Sequence, residues 1–115
     1  MTTISPEQNL LTLVNVFHVQ PGRQDELADL LVAATHEAMR HQPGFVSANI
    51  HKSRDGKRVV NYAQWRSMDD FQAMLKNPDA LPHMRRAAEL ADSYDPVLCD
   101  VVDSVSLDAS AAEKA

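Results

Sequence analysis

"FVSANIHKSRDGKRVVNYAQWR", residues 45–66, sets two runs rich in branched and aromatic side chains on either side of Asp55-Gly56. An Asp-Gly pair between such runs is a strong hairpin signal, because both central positions of a tight primed turn need positive φ. The stretch therefore reads as two antiparallel strands, 45–53 and 58–66. Alternation along the second puts Val59, Asn61, Ala63 and Trp65 on one face and Val60, Tyr62, Gln64 and Arg66 on the other. A carboxamide and the chain's only tryptophan thus share a face.

Upstream, "LLTLVNVFHV" over 10–19 is a further strand, ended by the turn signal "QPG". Leu11, Leu13, Asn15, Phe17 and Val19 share one side and Leu10, Val14 and Val16 the other, so both faces call for cover. After Gly22 the period becomes helical. Leu27, Leu30, Leu31, Ala34 and Ala38 recur on one face, with Asp25 and Glu26 in the first turn where the helix dipole favours acids. This helix stops near "HQPG". Downstream, Ser67 with Asp70 three residues on predicts a capped helix carrying Phe71, Met74 and Leu75 on one face. Asn77-Pro78 breaks it, and a second helical segment from about Leu81 to Ser93 is expected to turn Met84, Ala88 and Ala91 inward. A last strand is expected over 96–107, with Val97, Cys99, Val101, Val105 and Leu107 on one side. The order β-α-β-β-α-β is the α+β, ferredoxin-like plan. The domain reading is an N-terminal extension over 1–9, the folded domain over 10–107 and a frayed tail over 108–115. One helical layer covers one sheet face, and the apolar second face of the first strand predicts an isologous homodimer with sheet packed on sheet.

Composition narrows the function. The 115 residues form one domain, with 44% hydrophobic and 23% charged residues. A net charge of −5 without a basic stripe argues against nucleic acid as a partner. The single cysteine, Cys99, excludes an internal disulfide and fits a reducing compartment. No run approaches the roughly 18 apolar residues of a membrane span, and the N-terminus lacks a signal-peptide pattern, so a cytoplasmic location is expected.

Few residues carry obvious chemistry. Asn15, between Leu13 and Phe17 on one face, is a carboxamide in an apolar row, and a buried amide needs partners from structure or ligand. The plainer reading has Asn15 and Asn61 bonding across the sheet while Trp65 fills the core. His36, His41 and His51 read as solvated or edge positions and His18 as a strand end, and no histidine has a metal-ligand spacing. His83 in "LPHMRR" is a base, an axial ligand or a surface group, and Arg85 and Arg86 are helix surface unless one meets a ligand at a cleft. The three glycines all lie at turns, which leaves no phosphate-cradling loop for a flavin or nicotinamide. Oxidation chemistry would have to draw on the substrate's own reactivity.

"LVNVFHVQPG", "RHQPGFVSANIHKSRDG", "VVNYAQW" and "LPHMRRA" together resemble the antibiotic biosynthesis monooxygenase family over most of residues 10–105. Within it they look most like the cofactor-independent, quinone-forming anthrone oxygenases of aromatic polyketide pathways. The resemblance implies a dimeric α/β barrel, no cofactor and no metal, molecular oxygen as co-substrate, and a small aromatic polyketide oxidised from anthrone to quinone. It places Asn15 and Trp65 at catalytic positions and Asn61 at a pocket amide. Arg85 matches a pocket arginine in one branch, and His83, Phe17, Phe71 and Met74 complete the substrate wall. Two departures matter: Ile50 and Phe71 stand where one branch has tyrosines, so the proton acceptor falls to His83 or to a water held by Asn15. Haem-degrading members of the same superfamily share Asn15 and His83, but their second tryptophan falls here at Met74. A non-catalytic binding barrel is the remaining alternative.

Overall fold

A computed structural model describes residues 1–107; the tail expected over 108–115 lies outside the described residues. Four strands and three helices follow the expected order: β1 (Leu11–His18), α1 (Gln24–Glu37), β2 (Phe45–Lys52), β3 (Arg58–Trp65), α2 (Met68–Leu75), α3 (Leu81–Leu90) and β4 (Ser93–Cys99). Short 3-10 turns add Pro6–Gln8 and Met39–His41. The sheet is antiparallel in the order β2-β3-β1-β4, the α+β arrangement read from the sequence.

The hairpin forms where Asp55-Gly56 places it, with Gly56 at φ +77°. The Ser53 hydroxyl and the Lys57 N–H both donate to the Asp55 carboxylate. These two bonds, helped by Arg58, lower the Asp55 pKa to about 2. Opposite the turn, Val46 is a bulge between the Phe45–Trp65 and Ser47–Gln64 pairs. It keeps Phe45, Ala48 and Ile50 on the same side as Trp65, Ala63 and Asn61.

All three helices cover that side. Two apolar clusters form beneath them. Phe17, Val19, Leu27, Ala28, Val59, Ala87 and Ala91 build one under α1 and α3, and Leu13, Ala63, Trp65, Phe71, Met74 and Ala80 build the other under α2. Ser67 caps α2 by accepting the Asp70 N–H at 3.1 Å while its hydroxyl donates to the Asp70 carboxylate. Asn77 restarts the chain by accepting from Ala80 and Leu81.

Three expectations need correction. α3 ends at Leu90, and its buried position is Ala87 rather than the exposed Ala88. Leu75, expected inward, is 42% exposed. The last strand spans Ser93–Cys99 instead of 96–107, and its helix-facing side carries Tyr94, Pro96 and Leu98. The alternating pattern persists in "VVDSVSL", but β1, the only neighbour of β4, begins at Leu11, one residue before Thr12, the partner of Cys99. Beyond Cys99 no strand remains to supply ladder bonds, and Val102 and Val105 are exposed.

The outer sheet face is polar at one end and apolar at the other. Gln64, 2% exposed, accepts from the Ser47 hydroxyl and donates to the Thr3 carbonyl, and the Thr2 hydroxyl donates to Asn49. The first residues are thereby tacked across that end. Val14, Val16, Val60 and Tyr62 continue the face, each half-buried.

Candidate active site

Between the two apolar clusters the helix-facing side of the sheet changes character for one rung. Antiparallel pairing sets Phe17 opposite Val59, Asn15 opposite Asn61 and Leu13 opposite Ala63. The same rung continues to Ile50 on β2 and Pro96 on β4. The two amides are direct neighbours, yet among the described residues neither side chain makes a hydrogen bond, to its neighbour or to any other group. Asn15 Oδ1 and Asn61 Oδ1 are both buried and without partner. Each unmade bond of this kind costs about 1–3 kcal/mol, so two on one rung are not what packing alone would select.

A cavity of about 320 Å³ lies over this rung, a size typical of small-molecule sites. Asn15 and Asn61 are on its floor with Leu13, Phe17 and Pro96, and Phe71, Met74, His83, Met84 and Ala87 form its roof. It exists because the helical layer is broken at Asn77-Pro78 and because α3 presents Ala87 and Ala88, too short to fill the gap. His83 and Ala87 are one turn apart on α3 and face the same way. No carboxylate, ammonium or guanidinium group lines the cavity.

Six of the eight residues singled out from the sequence meet here: Asn15, Asn61, Phe17, Phe71, Met74 and His83. Two do not. Arg85 is exposed, since the turn that aims His83 and Ala87 inward aims residue 85 at solvent, and it lines no described cavity. Trp65 is 2% exposed and stands one layer back, edge-on between Phe45 (centroids 5.6 Å apart) and Phe71 (6.0 Å). It lines a smaller hollow of about 60 Å³ that shares Leu13, Asn61 and Met74 with the main cavity. Sequence reasoning passed over Tyr94, Pro96 and Leu98, which close one side. The signal was present, as these alternate positions lie opposite Phe17, Asn15 and Leu13, but using it requires the β1–β4 register. His18, His36, His41 and His51 are exposed, and the described residues contain no group of three or more side chains fit to hold a metal ion. No described helix is long and apolar enough to cross a membrane.

Comparison with known proteins places this geometry among relatives. The antibiotic biosynthesis monooxygenase family matches residues 10–90. The tetracenomycin-F1 monooxygenase of Streptomyces glaucescens is 52% identical over 104 residues, covering 90% of this chain and 92% of that one. Among solved structures, the monooxygenase ActVA-Orf6 of Streptomyces coelicolor, in complex with nanaomycin D, has a TM-score of 0.80 at 27% identity, covering 89% of this chain and 96% of its own. SnoaB, a cofactor-independent oxygenase from Streptomyces nogalater, has a TM-score of 0.74 at 28% identity, with 84% and 97% covered.

Proposed function

The chain belongs to the antibiotic biosynthesis monooxygenase family, as a monooxygenase of the cofactor-independent kind, and from that premise we propose that it oxidises an anthrone-type ring of an aromatic polyketide to the quinone with molecular oxygen. The observation that carries this reading is the rung of two unpartnered amides in an otherwise apolar wall. A flat phenolic ketone offers both the apolar faces such a wall wants and the hydroxyl and carbonyl groups that free carboxamides bind. One relative named for tetracenomycin F1 and another holding nanaomycin D support a polycyclic substrate.

The chemistry then follows from the residues. His83, on the roof, takes one proton from the ring methylene. The negative charge delocalises onto the ring carbonyl oxygen, where the Asn15 and Asn61 amide N–H groups stabilise it without reorganising. The carbanion passes one electron to oxygen, and the resulting pair joins in a carbon–oxygen bond to give a hydroperoxide. Loss of the second methylene proton with departure of hydroxide leaves the new carbonyl. One oxygen atom enters the product and the other leaves as water, the substrate supplying all the electrons.

The test is oxygen uptake by metal-free protein given an anthrone such as dithranol, with the quinone followed by absorbance. Protein-dependent, saturable uptake is expected, and a rate at the no-enzyme background overturns the reading. Within the same assay His83→Ala is expected to lower kcat by about 100-fold and to remove the acid limb of the pH profile, leaving anaerobic substrate affinity within twofold. Unchanged kcat would move proton abstraction to a bound water.

The homodimer belongs to this reading too. Val14, Val16, Val60 and Tyr62 form an apolar strip on the outer face, and Val97 beside it is 43% exposed. A second copy packed sheet to sheet would cover that strip. Val16→Glu is expected to halve the mass measured by light scattering, because burying two facing carboxylates is prohibitive. A parent of monomer mass would sink the dimer.

A further inference from the structure

The 60 Å³ hollow behind Asn61 has no role in the scheme above. It lies between the sheet and the end of α1, and Ala63, Trp65 and Phe45 are among its walls. Its polar content is small. The Thr35 hydroxyl already donates to the Leu31 carbonyl at 2.8 Å, which leaves the Asn61 amide. A water held inside a protein usually makes about three hydrogen bonds, and apolar cavities that cannot supply them stay dry and take up apolar guests. The hollow is about twice the roughly 30 Å³ that one water occupies in the liquid, room for a diatomic molecule. It also shares Leu13, Asn61 and Met74 with the substrate cavity, so a guest there is one side chain from the amide rung.

We propose that this hollow is a dioxygen site, holding the gas behind Asn61 while the flat substrate fills the main cavity. The inference rests on the oxygenase reading. It explains why oxygen need not compete with a ring that occupies the front of the site, and why Trp65 is set back from the substrate.

Two substitutions fill the hollow without touching the main cavity: Ala63→Val on β3 and Ala48→Val on β2, both branched residues suited to a strand. Each is expected to raise KM for oxygen at least fivefold, while kcat at saturating oxygen and anaerobic substrate affinity stay within twofold. Crystals of the parent under xenon should show the gas beside Ala63 and Trp65, and should lose it in Ala63→Val. KM for oxygen unchanged in both variants, or xenon only in the main cavity, overturns the proposal. Failure of the parent to consume oxygen is a separate result, which removes the oxygenase reading, whereas uptake with an unaltered KM removes only the gas site.

Discussion

Replacing Asn15 or Asn61 with leucine is expected to lower kcat by about 100-fold to 1,000-fold, the loss typical of one oxyanion-stabilising donor, while the protein melts at or above the parent temperature. The two halves of this result come from one fact. Asn15 Oδ1 and Asn61 Oδ1 are buried and unpartnered in the folded chain, so the amides burden the free protein and are satisfied only when something enters the cavity. Leucine has nearly the shape of asparagine and no orphaned acceptor. Exchanging a buried amide for it recovers part of the about 1–3 kcal/mol that an unmade bond costs. For a domain of this size each kcal/mol corresponds to a gain of about 4 °C. If the amides were structural, the opposite would hold: activity would survive and stability would fall. Because they act on charge that develops in the transition state, kcat and kcat/KM should drop together. Variants that oxidise substrate at the parent rate would remove the amide rung from the mechanism.

The largest effect on stability is expected at Gly44, where alanine should cost about 3 kcal/mol or more and lower the melting temperature by at least 10 °C. Gly44 holds φ at +82°, and its carbonyl accepts the Arg66 N–H at 2.7 Å, tying the start of β2 to the start of α2. A methyl group at this position would fall inside the Asp70 side chain. Asp70 has nowhere to go without releasing Ser67, whose hydroxyl both caps its N–H and donates to its carboxylate. Gly22 and Gly56 separate the two contributions. They also hold positive φ, at +87° and +77°, but nothing lies within 4 Å of where a side chain would start. Alanine at either should cost only the backbone strain, about 1 kcal/mol. Denaturant melts of the three variants check the ranking, and equal costs at all three would show that the Asp70 collision is relieved cheaply.

The order of elements was legible because each rests on a local signal: Asp55-Gly56 for the hairpin, Ser67 with Asp70 for the start of α2, Asn77-Pro78 for its end. Strand parity also put Asn61 and Trp65 on one face, as the structure has them. What parity cannot supply is depth. Trp65 lies at the Leu11 rung and Asn61 at the Asn15 rung, so the indole sits beneath Phe71, two rungs from the amides, and this follows only from the β1–β3 register. That the two asparagines meet is equally long-range, a pairing between residues 46 apart in sequence. Arg85 was drawn toward the site by resemblance, while the rotation of α3 that carries His83 inward turns it to solvent. The overlong last strand has the same origin, since alternation is local and a ladder partner is not.

The wall around the amide rung holds no carboxylate, ammonium or guanidinium group. An oxygen radical anion formed there meets no counter-ion and little water, and leaving the ring's side would expose it, still charged, to apolar surface that cannot solvate it. Collapse onto the neighbouring carbon is the route that removes this cost. The neutrality that makes the cavity hospitable to an uncharged ring thus also guards against leakage of reduced oxygen, so fidelity here is a property of solvation and needs no dedicated scavenging group.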